Sequence, residues 1–482
     1  MSRQDYAGIA ARWSCLYLPS HLFSMAEYQL IIIGGGLSGI AAGIRAARFG
    51  VKTLLLEQHT IPGGLNSYYF RQGKILETGL HAMTNYAAAG NKRAPLNVLF
   101  RQLKLSRKLF ATHEQVGSEI RFPDASLLFS NDPLLLEQEV AGAFPESVDR
   151  FIALKKSIAA YDPFTVQPWK SARTFLSRAL ENPLLEEMLL LPLMVYGNPE
   201  EHDMDMGQFV IMFRSVFEEG FFRPGGTIRE FLTMLLDQFK SFGGEIRYRA
   251  LVKEIYREQG KVKGIQLADG EILTADAVLS TVGMPETIKL SGWDIPQQAY
   301  GGRMSFMETV SLVDEKAREG LDSSATILFY NKKSQLHYQR PTTFLDLSWG
   351  VICFPDNFQG LEKEECFQIR NTNAANYALW KAATPAEYTT LKQQWTHAAI
   401  SNAEDVIGPY SENVIYQDSF TPLTVERFTR KAEGAIYGSP LKIRDGKTPW
   451  PNLFIAGTDQ GYLGIVGAML SGVTVINQHI LS

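Results

Sequence analysis

The sequence predicts an α/β protein in which an α+β domain is inserted into a domain built on a parallel sheet. Two observations support this prediction. A strand, a glycine-rich turn, a helix and a second strand follow one another from residue 27, whereas two long segments are rich in aromatic residues and show no such order. The 482 residues are enough for two or three domains. We predict a first domain from 26–90, 222–290 and 420–482, a second domain from 91–221 and 291–419, and an N-terminal arm over 1–25.

The composition is that of an ordinary globular protein. Lys and Arg number 47 against 51 Asp and Glu, which gives a net charge of −4, and 45% of the residues are hydrophobic. These values exclude a collagen-like chain, a long disordered chain and a strongly basic nucleic-acid-binding protein. We therefore expect no nucleic-acid partner.

The cysteines and the apolar runs indicate which covalent links, metals and cellular location to expect. Cys15, Cys353 and Cys366 lie too far apart for a zinc-finger spacing, and we expect neither a disulfide framework nor a bound metal. No apolar run approaches the roughly 20 residues that cross a bilayer, and residues 1–24 lack a small-residue cleavage site. We expect a cytoplasmic protein.

The clearest motif lies in the first βαβ unit. An apolar strand over 28–33 leads into Gly34-x-Gly36-x-x-Gly39, a helix follows to residue 49, and a second apolar strand over 51–56 ends in Glu57. Connections this short favour a parallel pair with a right-handed crossover. The unit is therefore predicted to be the Rossmann-like arrangement that binds dinucleotides.

Each part of the glycine motif has a physical role in binding a dinucleotide. Gly34 permits the tight turn, Gly36 lets a diphosphate approach the backbone, and Gly39 lets the helix pack on the strand. The helix N-terminus, at Leu37 and Ser38, offers N–H groups and the positive end of the helix dipole to the phosphates. The alternative is a glycine-rich turn that binds no ligand.

The residues after the second strand select among the dinucleotides. Glu57 would accept hydrogen bonds from ribose hydroxyls and disfavour a 2′-phosphate, so FAD or NAD is preferred over NADP. Six residues later, Gly63-Gly64 permits a second pass of the backbone beside the dinucleotide. A simple NAD domain does not need this second pass.

The remaining elements of the first domain follow in order. Apolar positions at helical spacing predict a helix over 228–242 that ends at a pair of glycines. Strand-like runs over 245–256, 261–267 and 271–279 are separated by turn residues, and a last strand over 452–456 leads into a glycine-rich segment and a final helix.

These motifs resemble a known group of flavoproteins. An acid followed by Gly-Gly marks FAD binding in the superfamily of amine oxidases and carotenoid desaturases. Phe222-Arg-Pro-Gly-Gly226 and the strand at Val252 look like the second FAD segment of that superfamily, and residues 452–472 look like its closing FAD motif. The resemblance implies a Rossmann-like FAD-binding domain of the glutathione-reductase/amine-oxidase type with an inserted substrate domain.

The resemblance also implies particular cofactor contacts. Val252 matches the residue whose backbone meets the adenine, and the acid at the Asp459 position bonds near the ribitol and the diphosphate. The helix that follows points its N-terminus at the flavin ring. The candidate FAD-binding residues are Gly34, Gly36, Leu37, Ser38, Gly39, Glu57, Gln58, Gly63, Gly64, Leu65, Val252, Gly457, Asp459, Gly467 and Ala468.

One branch of the superfamily is indicated by shorter patterns. Leu76-Glu-Thr-Gly-Leu-His81 is similar to an element of retinol saturases and carotenoid isomerases, although Ala82 stands where the saturases have Tyr. Residues 421–424 and 434–438 also resemble that branch. His81 and Tyr437 are the candidate catalytic residues, and the alternative is that each is a polar loop or core residue. We expect no acid–base dyad elsewhere, because a flavin itself carries hydride and electrons.

The resemblance implies a substrate class and leaves other functions open. The expected reaction is desaturation, saturation or cis–trans isomerisation of a long lipophilic polyene, isoprenoid or acyl chain. The electron acceptor or donor is not indicated. The alternatives are a flavin amine oxidase of the same superfamily and a non-catalytic prenyl-lipid escort of the same fold.

Residues 91–110 predict a contact with membranes. The segment has six basic residues and no acid, with apolar residues between them. A basic amphipathic segment in a slightly acidic chain favours peripheral docking on anionic lipid. The alternative is a solvated helix face.

Overall fold

The structure is a computed structural model that describes residues 26–165, 167–362 and 365–482. The predicted N-terminal arm, and Cys15 within it, lies outside the described residues. The strands are, in chain order, β1 (Tyr28–Ile33), β2 (Thr53–Leu56), β3 (Tyr68–Arg71), β4 (Lys74–Glu77), β5 (Met83–Thr84), β6 (Thr112–Glu114), β7 (Ser118–Arg121), β8 (Ser126–Phe129), β9 (Phe221–Pro224), β10 (Glu245–Arg247), β11 (Val252–Glu258), β12 (Lys261–Leu267), β13 (Ile272–Ser280), β14 (Ser305–Asp314), β15 (Ile327–Asn331), β16 (Trp349–Cys353), β17 (Cys366–Ala375), β18 (Val414–Phe420) and β19 (Leu453–Ile455). The α-helices are α1 (Leu37–Arg48), α2 (Pro95–Leu103), α3 (Pro133–Ala143), α4 (Val148–Ala160), α5 (Ala172–Leu180), α6 (Pro183–Gly197), α7 (Met206–Phe213), α8 (Ile228–Ser241), α9 (Met284–Ser291), α10 (Tyr377–Ala382), α11 (Pro385–Ile407), α12 (Pro422–Thr429) and α13 (Gly464–His479).

The first sheet has the strand order β10-β2-β1-β13-β12-β11, and β19 also pairs with β13. β10, β2, β1, β13 and β19 are parallel, so their carboxyl ends meet at one edge. The chain passes from β1 to β2 on one side, while β13 flanks β1 on the other. In open α/β sheets a ligand binds in the crevice at such a reversal of strand order. The predicted α/β class is confirmed.

Both faces of the first sheet are covered. Leu30 and Ile32 lie in a core shared with α1, α8 and α13. Ile31 and Ile33 point to the opposite face and lie in a core closed by residues of β11, β12 and β13. A strand buried on both faces has the continuous apolar sequence seen in β1.

The predicted strand over 245–256 is two strands. Between β10 and β11, Arg249 has a left-handed φ of 55°. The main-chain N–H groups of Arg249 and Ala250 donate to the carbonyl oxygens of His59 and Glu57, at 3.1 and 2.9 Å. The chain leaves the sheet here because the segment after β2 takes the hydrogen bonds that a continuous strand would use.

The second sheet has the order β18-β14-β17-β16-β15-β7-β8. Its pairs are antiparallel except for β15 with β7. β7 and β8 come from the first inserted segment and the other strands from the second, so the two segments form one sheet. One face packs against α11, and the other face shares a large apolar cluster with α4, α5, α6 and α7.

The part of the protein built on the first sheet is called the first unit, and the part built on the second sheet the second unit. The helix within residues 91–110 belongs to the first unit. α2 packs against α1 and α13, and its side chains Leu96, Leu99, Phe100 and Leu103 lie in their common core. α2 follows the predicted boundary at residue 90, and its apolar side completes the core that it shares with α1 and α13.

Candidate functional site

The glycine turn lies at the carboxyl edge of the parallel strands. Gly34 has a φ of 105°, which favours glycine. A Cβ on Gly39 would lie only 2.1 Å from the carbonyl oxygen of Gly34, so the helix can pack this closely only without a side chain. Around Gly36, by contrast, a Cβ would meet nothing within 4 Å. The turn therefore has two packed glycines and one that faces open space.

The second glycine pair lies against the first turn. The N–H of Gly63 donates to the carbonyl oxygen of Gly35 at 2.8 Å, and Gly63 forms a parallel bridge with Gly36. Gly64, in the left-handed region with a φ of 59°, is exposed and would place a Cβ 3.5 Å from the Cα of Gly36. Leu65 follows in a short 3-10 turn and is half-buried. The main chains of the two glycine turns, 34–36 and 63–64, are thus in direct contact.

The N-terminus of α1 has the donors that a diphosphate needs. Its first turn, at Leu37, Ser38 and Gly39, contains no acid, and N–H groups of a first turn lack partners within their own helix. The buried hydroxyl of Ser38 has no hydrogen-bond partner among the described residues. Buried polar atoms are nearly always bonded, so this hydroxyl indicates an absent acceptor.

Glu57, the residue expected to bind a ribose, has its carboxylate fixed by two main-chain N–H groups. Its Oε2 accepts from the N–H of Gly35 at 2.9 Å and its Oε1 accepts from the N–H of His59 at 2.8 Å. Each carboxylate oxygen can accept a further hydrogen bond from a hydroxyl. The side chain of the next residue, Gln58, bonds to the end of α12. Its amide oxygen accepts from Arg430 at 3.3 Å, and its amide nitrogen donates to the carbonyl oxygen of Phe428.

The side chains of Val252 and Asp459, two of the expected cofactor contacts, are both buried. The side chain of Val252 is buried in the core of the first unit, which leaves its backbone for any cofactor contact. Asp459 is 1% exposed. One carboxylate oxygen accepts from the N–H of Met284 at 3.0 Å and the other from the N–H of Ser439. The carboxylate therefore caps α9 and fixes a neighbouring loop, and each of its oxygens can accept one further hydrogen bond.

The closing glycine segment returns to the first turn. A Cβ on Gly457 would lie 4.0 Å from Ser38. Gly467 and Ala468 lie near the start of α13, whose first residue, Gly464, is exposed. A Cβ on Gly464 would lie 2.8 Å from the Oγ1 of Thr84.

These features fit FAD. The open space at Gly36, the unpaired Ser38 hydroxyl and the fixed Glu57 carboxylate match the diphosphate and ribose of a dinucleotide. A second helix N-terminus, at Gly464, is exposed as well. The donor set thus agrees with the predicted cofactor.

The structure brings three distant residues together beside this site. His81 Nε2 lies 2.9 Å from Oε2 of Glu308 on β14. The other carboxylate oxygen of Glu308 accepts from Arg370 on β17, and Nη2 of Arg370 also donates to the carbonyl oxygen of Thr78 at 2.8 Å. Burial alone would raise the pKa of the Glu308 carboxyl, but the charges of Arg370 and His81 outweigh it and lower the pKa below its ordinary value.

The sequence indicates no acid–base dyad, whereas the structure pairs the imidazole of His81 with the carboxylate of Glu308. His81 and Glu308 are 227 residues apart, and Glu308 and Arg370 are 62 apart. Glu308 and Arg370 meet because their strands, β14 and β17, are paired. Glu308 lies opposite Thr372, and Arg370, two residues earlier on β17, is the diagonal neighbour of Glu308 on the same sheet face. No local pattern in the sequence signals this arrangement.

Tyr437, the second catalytic candidate, lies at the edge of the apolar cluster. Its hydroxyl donates to the carbonyl oxygen of Val195 on α6, and its ring centroid is 6.1 Å from that of Phe306 on β14. Burial, and then the charge of Glu308, raise the pKa of this hydroxyl well above its ordinary value. A hydroxyl that is bonded to the main chain and resists ionisation supports a packing role for Tyr437 more than a catalytic one.

Two absences concern the described ranges, 26–165, 167–362 and 365–482. No group of three or more His, Cys, Asp or Glu that could hold a metal ion is found there. Among the same residues, no helix has the length and apolar character needed to cross a membrane. Cys353 and Cys366 are free thiols.

Comparison with known proteins agrees with the site. Residues 37–301, more than half of the chain, match the family described as flavin containing amine oxidoreductase. The chloroplastic prolycopene isomerase of Arabidopsis thaliana is 22% identical to this chain, over 91% of this chain and 76% of its own length. The all-trans-retinol 13,14-reductase of Rattus norvegicus is 20% identical, over 94% of this chain and 86% of its own.

A solved structure shares the fold. The crystal structure of an oxidoreductase from Methanosarcina mazei superposes with a TM-score of 0.64 at 16% identity, over 93% of this chain and 99% of that one. The predicted superfamily, its carotenoid isomerase and retinol saturase relatives, and the predicted cofactor are confirmed. The chain therefore belongs to the flavin containing amine oxidoreductases, and its cofactor is FAD.

Proposed function

We propose that the protein uses FAD to desaturate, saturate or isomerise carbon–carbon bonds of a long lipophilic chain. The observation that carries the proposal is the apolar cluster between α4–α7 and the second sheet, which reaches the cofactor residues. Leu463, immediately before α13, belongs to this cluster, and a Cβ on Gly197 of α6 would lie 2.8 Å from its Cδ1. Leu, Met and Phe side chains at the flavin end of the site favour an apolar substrate.

The relatives support a polyene as that substrate. The names of two of them give prolycopene and all-trans-retinol, both conjugated lipophilic chains, as the molecules they act on. FAD supplies hydride and electron transfer when it is bound. The residues of this chain would hold the diphosphate at α1, hold the ribose at Glu57, and exclude water through the apolar cluster.

Such a substrate requires contact with a lipid surface. At about 0.8 kcal/mol per buried methylene group, a long polyene is strongly driven out of water and into a bilayer. We therefore propose peripheral membrane association, with the basic face of residues 91–110 as the contact. Lys92, Arg93, Lys104 and Lys108 are exposed on this face, and Leu109 is 82% exposed.

The packing of α2 limits which side chains of residues 91–110 could contact a bilayer. Four apolar side chains of α2 are buried against α1 and α13, so they cannot enter a bilayer. Attraction of the lysines and arginines to anionic headgroups, with Leu109 as the inserting side chain, is the contact that remains. At about 1 kcal/mol per basic residue, Lys108→Gln should weaken binding to vesicles of phosphatidylglycerol and phosphatidylcholine about fivefold. Leu134→Ser, at an exposed leucine of α3, is the matched control for Leu109→Ser in the same sedimentation assay.

Product masses test the reaction. The FAD-loaded protein is incubated without oxygen with liposomes that contain prolycopene, phytoene or all-trans-retinol, once with oxidised and once with dithionite-reduced flavin. A loss of two mass units indicates desaturation, a gain of two indicates saturation, and an unchanged mass with a shifted absorption spectrum indicates isomerisation. Release of peroxide and ammonia from amines, with no change in any polyene, would instead establish an amine oxidase.

A further inference from the structure

A buried charged network lies within the apolar surroundings of the site. Arg370 is 1% exposed and Glu308 is buried, and their ion pair lies where β14 and β17 face the first unit. Removing such a pair from water costs several kcal/mol per ion, and an apolar pair of similar size is often at least as stable. Stability therefore gives little reason for charges here, whereas a functional site does.

Residues on either side of His81 contact the two glycine segments of the cofactor site. On one side, Thr78 Oγ1 donates to the carbonyl oxygen of Leu65 at 2.7 Å, and Leu65 follows the glycine pair that lies on Gly36. On the other side, Thr84, three residues after His81, lies against Gly464 at the N-terminus of α13. His81 thus lies on the chain segment that joins the diphosphate end to the end assigned to the flavin ring.

His81 also lies at the junction of the two units. Leu80, its neighbour, is buried in the core of the first unit, and Ala82 is buried in the apolar cluster of the second. The imidazole keeps partial exposure, with 16% of its side chain accessible. Its position puts it between the cofactor residues and the cluster proposed to bind the substrate.

The hydrogen bonds determine which nitrogen of His81 is available. Nε2 is bonded to Glu308, and Nδ1 makes no hydrogen bond to any residue that the structure describes. Nη1 of Arg370 is buried and likewise lacks a partner among the described residues. A carboxylate on one ring nitrogen fixes the orientation of the imidazole, which leaves the other nitrogen to exchange a proton with a bound molecule.

We propose that His81 is the proton-transfer residue of this site, and that Glu308, held by Arg370, positions it. This inference rests on the proposed action at carbon–carbon bonds. In saturation, reduced FAD gives a hydride to one carbon of a double bond and Nδ1 of His81 gives a proton to its neighbour. The π bond breaks, two C–H bonds form, the substrate is reduced, the flavin is oxidised, and solvent returns the proton to His81.

The same residue serves the other two reactions. In desaturation the flavin takes the hydride and neutral His81 accepts the proton. In isomerisation His81 adds a proton to one carbon of the polyene and then removes a proton from that carbon after rotation, so no net oxidation occurs. In every case Glu308 stays ionised, Arg370 keeps its protons, and both act only through His81.

Wild-type turnover on the polyene that gives a product is measured first. An inert wild type would overturn the proposed function and this inference with it. With an active wild type, His81→Ala should lower kcat by about 10² to 10⁴ with unchanged FAD content, because general acid–base catalysis contributes that much. His113→Gln, at a histidine that bonds the carbonyl of Gln359, is the matched control and should keep wild-type activity.

Chemical rescue separates proton transfer from a structural role. Added imidazole should restore part of the activity of His81→Ala, and it should restore none in His81→Ala/Glu308→Gln, because the carboxylate that binds and orients the imidazole is gone. Glu308→Gln alone should lower kcat at least tenfold with little change in KM. Glu119→Gln, which disturbs a carboxylate–arginine pair elsewhere in the same sheet, controls for loss of an ion pair.

The opposite results would overturn the inference while leaving the proposed function in place. They are activity of His81→Ala within threefold of wild type, or equal rescue by imidazole with and without the Glu308 carboxylate. Should Glu308→Gln fail to fold, Glu308→Asp provides the second variant. Its shorter side chain keeps the charge, and imidazole rescue of His81→Ala/Glu308→Asp should then persist in reduced form.

Discussion

Gly36→Ala should weaken FAD binding while leaving the apoprotein nearly intact. Gly36 has φ −73° and ψ 171°, a conformation that alanine adopts without strain, and the added Cβ would meet no protein atom within 4 Å. The loss of a glycine N-cap costs at most about 1 kcal/mol. The methyl group would instead occupy the space through which the diphosphate approaches the backbone.

The expected magnitude follows from that geometry. Forcing a methyl group into a close-packed contact costs about 1–3 kcal/mol, which corresponds to a rise in the Kd for FAD of about 5- to 150-fold. The assay is a titration of FAD-free protein followed by quenching of flavin fluorescence, with a thermal melt of the apoprotein in parallel. Gly142→Ala, at a helical glycine of α3 whose Cβ would also meet nothing within 4 Å, is the control. An unchanged Kd for Gly36→Ala would refute the assignment of the diphosphate to this turn.

Three further predictions concern stability. Gly472→Ala should destabilise the protein by at least about 1–3 kcal/mol in urea unfolding, because its Cβ would lie 2.1 Å from the carbonyl oxygen of Ser38 and force α13 away from α1. Thr227→Ala should cost about 1 kcal/mol in the same assay, since it removes the capping box that Thr227 and Glu230 form at the start of α8. Burial raises the pKa of Glu219 to about 7, so the folded state holds a proton that the unfolded state loses near its ordinary pKa. Stability should therefore fall as pH rises from about 4.5 to 7, and Glu219→Gln, which can still bond Asn85, should remove that part of the fall.

The cofactor-binding turn was predictable because its chemistry is local. The roles of Gly34, Gly36 and Gly39 depend on what a Cβ would touch within one strand–turn–helix unit, and the spacing of three glycines carries that information. The same is true of the Gly63-Gly64 pair, which follows Glu57 by only six residues. The matching family region, residues 37–301, begins within this unit.

Other interpretations depended on packing that the sequence does not show. Residues 91–110 have the pattern of a membrane-binding segment, yet the apolar side of α2 is covered by α1 and α13, which are distant in the chain. Asp459 matches a cofactor-binding acid in its motif, and only the structure shows that its carboxylate also caps α9, because the start of that helix lies beside it in space.

The amino-acid order by itself determined the parallel-sheet unit, the cofactor class and the relatives, because short-range spacing controls turns and helix starts. Only the tertiary structure placed Glu308 and Arg370 behind His81. That arrangement depends on the register of β14 with β17 and on the docking of the segment after β4 onto their sheet. Register and docking are decided by the burial of whole faces, a long-range property that no local pattern around His81 contains.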